Sequence, residues 1–402
     1  MGVIKRRLLF QGVNNTHKIA LITFFSSFYL YSHVGTLYLQ ARGLNLFQVN
    51  ALNSILIGAL FLMEAPAGVI ADKIGRKRSV IAAMALQVLG EVLYLFSRNF
   101  WAFAVIAVIG GAGFAFASGC VEALVYDTLP DEQRDLAMKK AMGLKGLAYQ
   151  LAFLGAPLLG SLLVPVFTLH RFLWAVFWTA CSVAVALLVA LTLEEAPTTA
   201  QMQKASTSRI FAAGIRQVRH SRHLQWLLLI TMLTSTFTMT LVGLYQPYFG
   251  QFAISAFWMG IAFAAGAAVA GIGVSNSHRL EEWLGPRWGL WVLTIAPGLC
   301  YLLLAVATTP TLVFCAFVLT YGTATLKEPL LSAYLNRQIA ADQRATVLSL
   351  VNLFVSGYVA LMMLAIGWLA DLDLRYAFAL IGTVIMIAAV GLRVDRVGKG
   401  AA

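Results

Sequence analysis

Apolar residues run through this chain in long blocks, and polar residues gather in short stretches between them. A helix that crosses the hydrocarbon core of a bilayer needs about 20 largely apolar residues. Twelve runs approach or pass that length, at 19–41, 49–71, 79–97, 101–129, 138–164, 171–193, 226–249, 256–275, 288–307, 311–336, 345–370 and 374–392. The longest polar stretch, 194–225, divides them six and six. The pattern therefore predicts an all-α polytopic membrane protein. Its parts are an N-terminal six-helix bundle at 1–193, a cytosolic linker at 194–225 and a C-terminal six-helix bundle at 226–402. Within the linker, Ile210, Phe211, Ile215 and Val218 are interspersed with Arg209, Arg216 and Arg219, the pattern of a helix lying on the membrane surface.

Composition reinforces this picture. Of 402 residues, 60% are hydrophobic and 11% charged, too few charges to cover a water-facing surface of that size. The basic start Lys5-Arg6-Arg7 leads into a full-length apolar run and not into the short core of a cleavable signal. With the amino terminus inside, cytosolic segments carry 23 Lys and Arg, whereas the opposite loops carry Arg42, Arg98, Arg171 and Arg375 alone. That asymmetry fits twelve spans with both termini cytosolic. The net charge of +12 then reports orientation and contact with anionic lipid, so no nucleic-acid partner is expected. Cys120, Cys181, Cys300 and Cys315 lie within spans without metal-ligand spacing and read as buried thiols. His220 and His223 stand three apart, but in a Ser-Arg-His repeat they read as a solvated basic face.

One short turn carries more information than any span. Residues 68–78 read Gly68-Val-Ile-Ala-Asp72-Lys73-Ile-Gly75-Arg76-Lys77-Arg78. This pattern, G-x-x-x-D-K-x-G-R-K, resembles the signature loop between the second and third helices of the major facilitator superfamily (MFS) of transporters. A weak repeat at an offset of 210 agrees: Leu284-Gly285-Pro-Arg287 mirrors Ile74-Gly75-Arg-Lys77, and Ala341-Asp342-Gln343-Arg344 mirrors Asp131-Glu132-Gln133-Arg134. The resemblance implies two pseudo-symmetric six-helix bundles that rock about a central cavity. In that family the first, fourth, seventh and tenth helices line the cavity. Gly68 suits close approach of a neighbouring helix, and Gly75 the tight reversal into the third helix. Asp72 suits the positive end of a facing helix, which the resemblance makes the eleventh, starting near Ala345. Arg76 suits a carboxylate at the end of the fourth helix, where Asp127 stands. Together these residues would form a cytosolic gate.

Ionisable groups at membrane depth are costly and point to function. Six are present: Glu64, Glu91, Glu122, Lys145, Lys327 and Glu328. Glu122 and Lys145 flank one short loop at similar depth and are expected to form a buried ion pair, structural or proton-coupling. Lys327 and Glu328 point about 100° apart and cannot simply neutralise each other; one of them is expected to meet substrate or protons. Glu64, one turn before Gly68, suits a proton carrier. Glu91 is expected to play a hydrogen-bonded packing role in the third helix. On the lining helices, Tyr29, His33, Thr238, Tyr245, Gln246, Tyr321 and Thr325 would suit a lipophilic or amphipathic ligand.

Some features of drug–proton antiporters in this superfamily are missing. The fourth run reads Ala107-Val-Ile-Gly110-Gly111, without the arginine of their R-x-x-q-G motif. The fifth run only approximates their G-x-x-x-G-P-x-x-G-G motif, as Gly155-Ala156-Pro157-Leu-Leu-Gly160-Ser161. Within those limits the sequence predicts a secondary transporter of the bacterial inner membrane, on a drug-efflux-like branch. Its expected task is proton-coupled efflux of small lipophilic or amphipathic compounds. Alternatives are transport of a metabolite or siderophore-like solute, and a non-transporting sensor or scaffold. No nucleotide-binding glycine loop or H-E-x-x-H motif is present, so neither ATP use nor a membrane enzyme is expected. The expected partners are a small-molecule substrate and membrane lipids. No metal or other cofactor is expected, the proton gradient supplies the energy, and the chain is expected to be a monomer.

Overall fold

The structure is a computed structural model that describes residues 2–129, 134–195, 219, 221–337, 339 and 344–395; side chains are described from residue 15 onward, with a few exceptions. Fifteen helical elements account for almost all of it: α1 Gly2–Ser27, α2 Gly35–Ala41, α3 Leu46–Ile74, α4 Arg76–Phe96, α5 Phe100–Ala117, α6 Cys120–Thr128, α7 Arg134–Leu163, α8 Leu169–Leu191, α9 Arg222–Leu233, α10 Thr238–Gln251, α11 Ala256–Val306, which the non-helical Gly285 divides into two helices, α12 Pro310–Thr323, α13 Glu328–Arg337, α14 Arg344–Leu372 and α15 Leu374–Gly391. No strand occurs among the described residues. Ten helical segments among the described residues are long and apolar enough to cross a bilayer. The remaining two of the twelve apolar runs, the first and the tenth, are helical but interrupted.

Interruption follows a rule. The breaks at 28–34, 118–119, 234–237 and 324–327 fall in the first, fourth, seventh and tenth runs and in no others. The apolar pattern predicts one helix per run; the correction has a physical origin in the groups around each break. A helix that stops in hydrocarbon must find other partners for its freed backbone groups. At the first break, Leu30 N donates to Thr179 Oγ1 at 3.0 Å, and Ser182 Oγ donates to Phe25 O at 2.8 Å. At the seventh, Tyr301 Oη donates to Thr236 O, and the Lys327 ammonium donates to Thr234 O. Gly119 makes the fourth break with φ of 71°, a left-handed conformation that glycine adopts without strain. The tenth break precedes Pro329, whose ring would collide with the carbonyl four residues back if the helix ran on.

By contacts the chain forms two units, residues 1–44 with 55–200, and residues 45–54 with 201–402. In the first, α1 packs on α7 and α8, and α4 on α5 and α8. Its core near the signature loop holds Ile19, Ile22, Val80, Met84, Leu124 and Val125, all nearly inaccessible. Gly111 lets α5 close on α3: a β-carbon there would stand 2.6 Å from Leu56 O. In the second, α11 packs on α12 and α15, and α9 on α14. The first turns of α3 also belong to this unit, capped by Asp371, whose Oδ1 and Oδ2 accept from Leu46 N at 2.7 Å and Phe47 N at 3.0 Å. The linker between 196 and 218 lies outside the described residues, as do Asp131–Gln133 and Ala341–Gln343.

The repeat at 210 is far more extensive in three dimensions than in the letters. Tyr38 Oη donates to Tyr94 O and Tyr248 Oη to Leu304 O, each partner 210 positions from its counterpart, at 2.7 and 2.8 Å. Asn99 caps α5 through Ala102 N, and Thr309 caps α12 through Leu312 N. Gly75 and Gly285 both reverse the chain at positive φ, 93° and 77°. Gly43 and Ala253 do the same at 90° and 55°. The second unit is thus built on the same local geometry as the first.

Candidate functional site

The signature loop is assembled from four segments of the first unit. Arg76 Nη1 pairs with Asp127 on α6 and also donates to Ala123 O at 2.9 Å. The expected Arg76–Asp127 partnership is therefore present. Glu195, just past α8, adds a contact that sequence reasoning does not find. Its carboxylate accepts from Arg76 N at 2.8 Å and Lys77 N at 3.2 Å, the first amides of α4. Anions are favoured at a helix N-terminus, where unpaired amides carry partial positive charge. Gly75 makes room: a β-carbon there would lie 3.0 Å from Glu195 Oε1. Next to it, Lys18 Nζ stands 3.6 Å from Glu194 and donates to Thr192 O, while Asn15 exchanges two hydrogen bonds with the Glu194 backbone. The signal available in the sequence is a Glu-Glu pair that opens the linker opposite a basic turn.

Asp72 and Lys73 are exposed. The segment expected to face Asp72, the start of the eleventh run near Ala345, has side chains outside the described residues. Within its own unit, a β-carbon on Gly68 would meet nothing within 4 Å. Close helix approach in this unit occurs at Gly111 instead.

Among the intramembrane charges, Glu91 stands apart. Its side chain is buried on α4, and Tyr31 Oη, in the first break, donates to Oε1 at 3.0 Å and is 3.2 Å from Oε2. Tyr31 stacks on Tyr94 with centroids 5.4 Å apart and meets Tyr29 edge-on at 5.7 Å. No lysine, arginine or histidine among the described residues lies within ion-pair distance of Glu91. An isolated buried carboxylate is tolerated chiefly when a proton or a bound cation neutralises it. The hydrogen-bonded setting agrees with the sequence; Tyr31 as its partner is new.

Lys327 is the counterpart in the second unit, 1% exposed at the tenth break. Its ammonium bonds to Thr234 O and, at 2.6 Å, to Thr234 Oγ1, spanning the seventh and tenth breaks. The carbonyl end of α9 carries partial negative charge, which favours a cation there. Its neighbour Glu328 is exposed. Glu64 is exposed too, not enclosed by protein. Glu122 and Lys145 do pair, at 3.1 Å, but their side chains are 59% and 30% exposed. The buried pair is thus corrected to a pair on the surface of the protein: the shared depth placed the partners, while α6 and α7 leave them uncovered.

The remaining lining candidates divide by unit. Tyr29 is half-buried and His33 fully buried around the first break. Thr238 shares a hydroxyl hydrogen bond with Thr236 at 3.2 Å beside the seventh break. Tyr245 and Tyr321 are core residues, Tyr245 stacked on Phe317 at 4.2 Å. Gln246 donates to Val242 O within α10, and Thr325 lies in the tenth break, half-buried. No cluster of three or more His, Cys, Asp or Glu fit to hold a metal occurs among the described residues.

Comparison with known proteins agrees with this architecture. The family model described as Major Facilitator Superfamily matches residues 19–326. The inner membrane transport protein YajR of Escherichia coli K12 is 29% identical over 130 residues, a match spanning 31% of this chain and 27% of that protein. Among solved structures, a mutant form of the nucleoside transporter NupG superposes with a TM-score of 0.80 at 14% identity, covering 94% of this chain and 98% of that one. A bacterial homologue of the human lysosomal transporter Spinster, in an inward-facing and unoccupied conformation, gives 0.76 at 17% identity, covering 97% of each chain. At such identities the two structures speak for the fold alone. Because the family model covers most of the chain, and ten helical segments among the described residues are long and apolar enough to span a bilayer, this protein belongs to the Major Facilitator Superfamily and is an integral membrane transporter, not an enzyme.

Proposed function

We propose that the chain is a secondary active carrier of the bacterial inner membrane, with both termini cytosolic. It expels small lipophilic or amphipathic compounds, cationic ones above all, in exchange for protons. The observation that carries this reading is Glu91: a buried carboxylate without a basic partner among the described residues, roofed by the half-exposed rings of Tyr29, Tyr31 and Tyr94. Such a group accepts either a proton or an organic cation whose charge is held by the carboxylate and whose face meets the rings. Since one carboxylate cannot hold both, loading of one releases the other, which is the minimum that exchange requires. The four broken helices supply the deformable segments, and Lys327 fastens two of them together. The signature loop, with Asp72 exposed and Arg76 tied to Asp127, serves as the cytosolic gate.

Inverted membrane vesicles with an acid interior test this directly. Tetraphenylphosphonium is expected to accumulate in vesicles that contain the protein, and an uncoupler is expected to abolish the accumulation. Accumulation that survives collapse of the gradient contradicts proton coupling. Asp72→Asn is expected to reduce the flux severalfold with the protein still folded, and unchanged flux would exclude the loop as a gate.

A further inference from the structure

Arginine is scarce on the side of the membrane opposite the signature loop, yet in the first unit it is concentrated at one place. Arg42, at the end of α2, and Arg98, between α4 and α5, line one cavity of about 540 Å³ together with His170. The rest of its lining is Leu95, Phe96, Leu169, Leu173, Trp174 and Phe177. Arg171 follows His170 and is exposed beside it. No acidic residue occurs in 40–48, 97–100 or 164–171, the segments that close this end of the unit. Among the described residues, no carboxylate pairs with Arg42 or Arg98.

The donors left over are specific. Arg42 spends Nε on Tyr38 Oη at 3.2 Å and one hydrogen of Nη2 on Leu95 O at 2.8 Å. A guanidinium has five N–H donors, so three remain, and the two bonds made hold its plane fixed at the cavity. Arg98 is exposed and lines the same space. His170 Nε2 accepts from Trp174 Nε1 at 2.9 Å, which places the ring hydrogen on Nδ1 as a further donor. Below this basic rim, Trp174 and Phe177 are 44% and 43% exposed, an aromatic wall in the first turns of α8, and aromatic residues are enriched where a bilayer changes from headgroup to acyl chain.

We propose that this cavity binds an anionic phospholipid of the leaflet opposite the signature loop. The headgroup phosphodiester sits between Arg42, Arg98 and His170, and an acyl chain lies along Leu173, Trp174 and Phe177. Guanidinium groups match phosphate oxygens in geometry and charge, while the apolar wall selects a lipid over a free anion. The assignment rests on the basic rim and apolar wall alone, and transport can fail as a reading while this one stands. Three basic residues facing away from the cytosol, against the usual orientation of charge, thereby acquire a common purpose.

The purified protein in nanodiscs, photolabelled with a phosphatidylglycerol carrying a diazirine on its acyl chain, tests the assignment. Label is expected in peptides spanning 169–178 and is expected to be displaced by unlabelled phosphatidylglycerol but not by phosphatidylcholine or inorganic phosphate. Arg98→Gln should weaken retention about fivefold, the effect of about one basic residue near an anionic surface, and Arg98→Lys should restore most of it. Arg375→Gln, in the second unit, should change nothing. Label spread evenly over all spans, equal competition by phosphatidylcholine, protection by inorganic phosphate alone, or full retention by a folded Arg98→Gln protein would each overturn the proposal.

Discussion

Set beside each other, the two units share their scaffold and differ in their buried charge. Tyr38 and Tyr248 make the same hydroxyl-to-carbonyl bond, and Gly75 and Gly285 make the same reversal. At the matching position where the first unit buries Glu91, the second has Tyr301, which donates to Thr236 O in the seventh break. Where the second unit buries Lys327, the first has Ala117. Duplicated features hold the backbone of each bundle in place, whereas the buried ionisable groups Glu91 and Lys327 have no Asp, Glu, Lys or Arg 210 positions away. The division of labour is legible in that difference: an acid near the first break, a base that staples the seventh to the tenth.

This comparison can be broken at several points. The largest effect is expected from Glu91→Gln, which keeps the size and a hydrogen-bond acceptor for Tyr31 but cannot ionise. Proton-driven flux should fall to the level of empty vesicles, while the thermal midpoint of the purified protein stays near that of the parent. Lys327→Met comes next. It strips the Thr234 carbonyl of its partner, and an unsatisfied buried polar group costs about 1–3 kcal/mol, to be read as a lowered midpoint in thermal unfolding. Gly75→Ala and Gly285→Ala each force a side chain onto a backbone with φ of 93° and 77° and ψ of 157° and 160°, a region essentially open to glycine alone, at about 1–3 kcal/mol. Gly75→Ala should cost more, because Glu195 must also withdraw from its cap.

Smaller effects sharpen the symmetry itself. Tyr38→Phe and Tyr248→Phe should each lose the shared hydroxyl-to-carbonyl bond, about 1 kcal/mol, and Tyr38→Phe also removes the acceptor of Arg42 Nε; a Tyr248→Phe protein as stable as the parent would deny that the two scaffolds are equivalent. The smallest change belongs to Glu122→Gln, since a pair this exposed contributes about 0–1 kcal/mol. A strong transport defect there would move the proton site away from Glu91.

Much of this is readable from the chain. The runs announce the spans because hydrocarbon enforces length, and the turn at 68–78 announces the family because its glycines and acid exceed what membrane anchoring requires. Arg76 and Asp127 meet as their depths suggest. The helix breaks are not readable, since hydropathy is continuous through 28–34 and 234–237 and the cause lies in side chains far along the chain, namely Thr179, Ser182, Tyr301 and Lys327. Gly119 and Pro329 are the local clues. Glu91 reads as a packing residue in the sequence because its partner Tyr31 lies 60 residues away, across a break that the pattern does not show. Glu122 and Lys145 are legible as partners but not as exposed ones, because depth along a helix says nothing of which face is covered.

The most direct test of exchange at Glu91 is proton release on binding. Tetraphenylphosphonium added to the purified protein in weakly buffered solution, at a pH where Glu91 is protonated, should displace close to one proton for each cation bound, read by a pH indicator. The Glu91→Gln protein should displace none. Equal release from the two proteins would contradict exchange at this carboxylate.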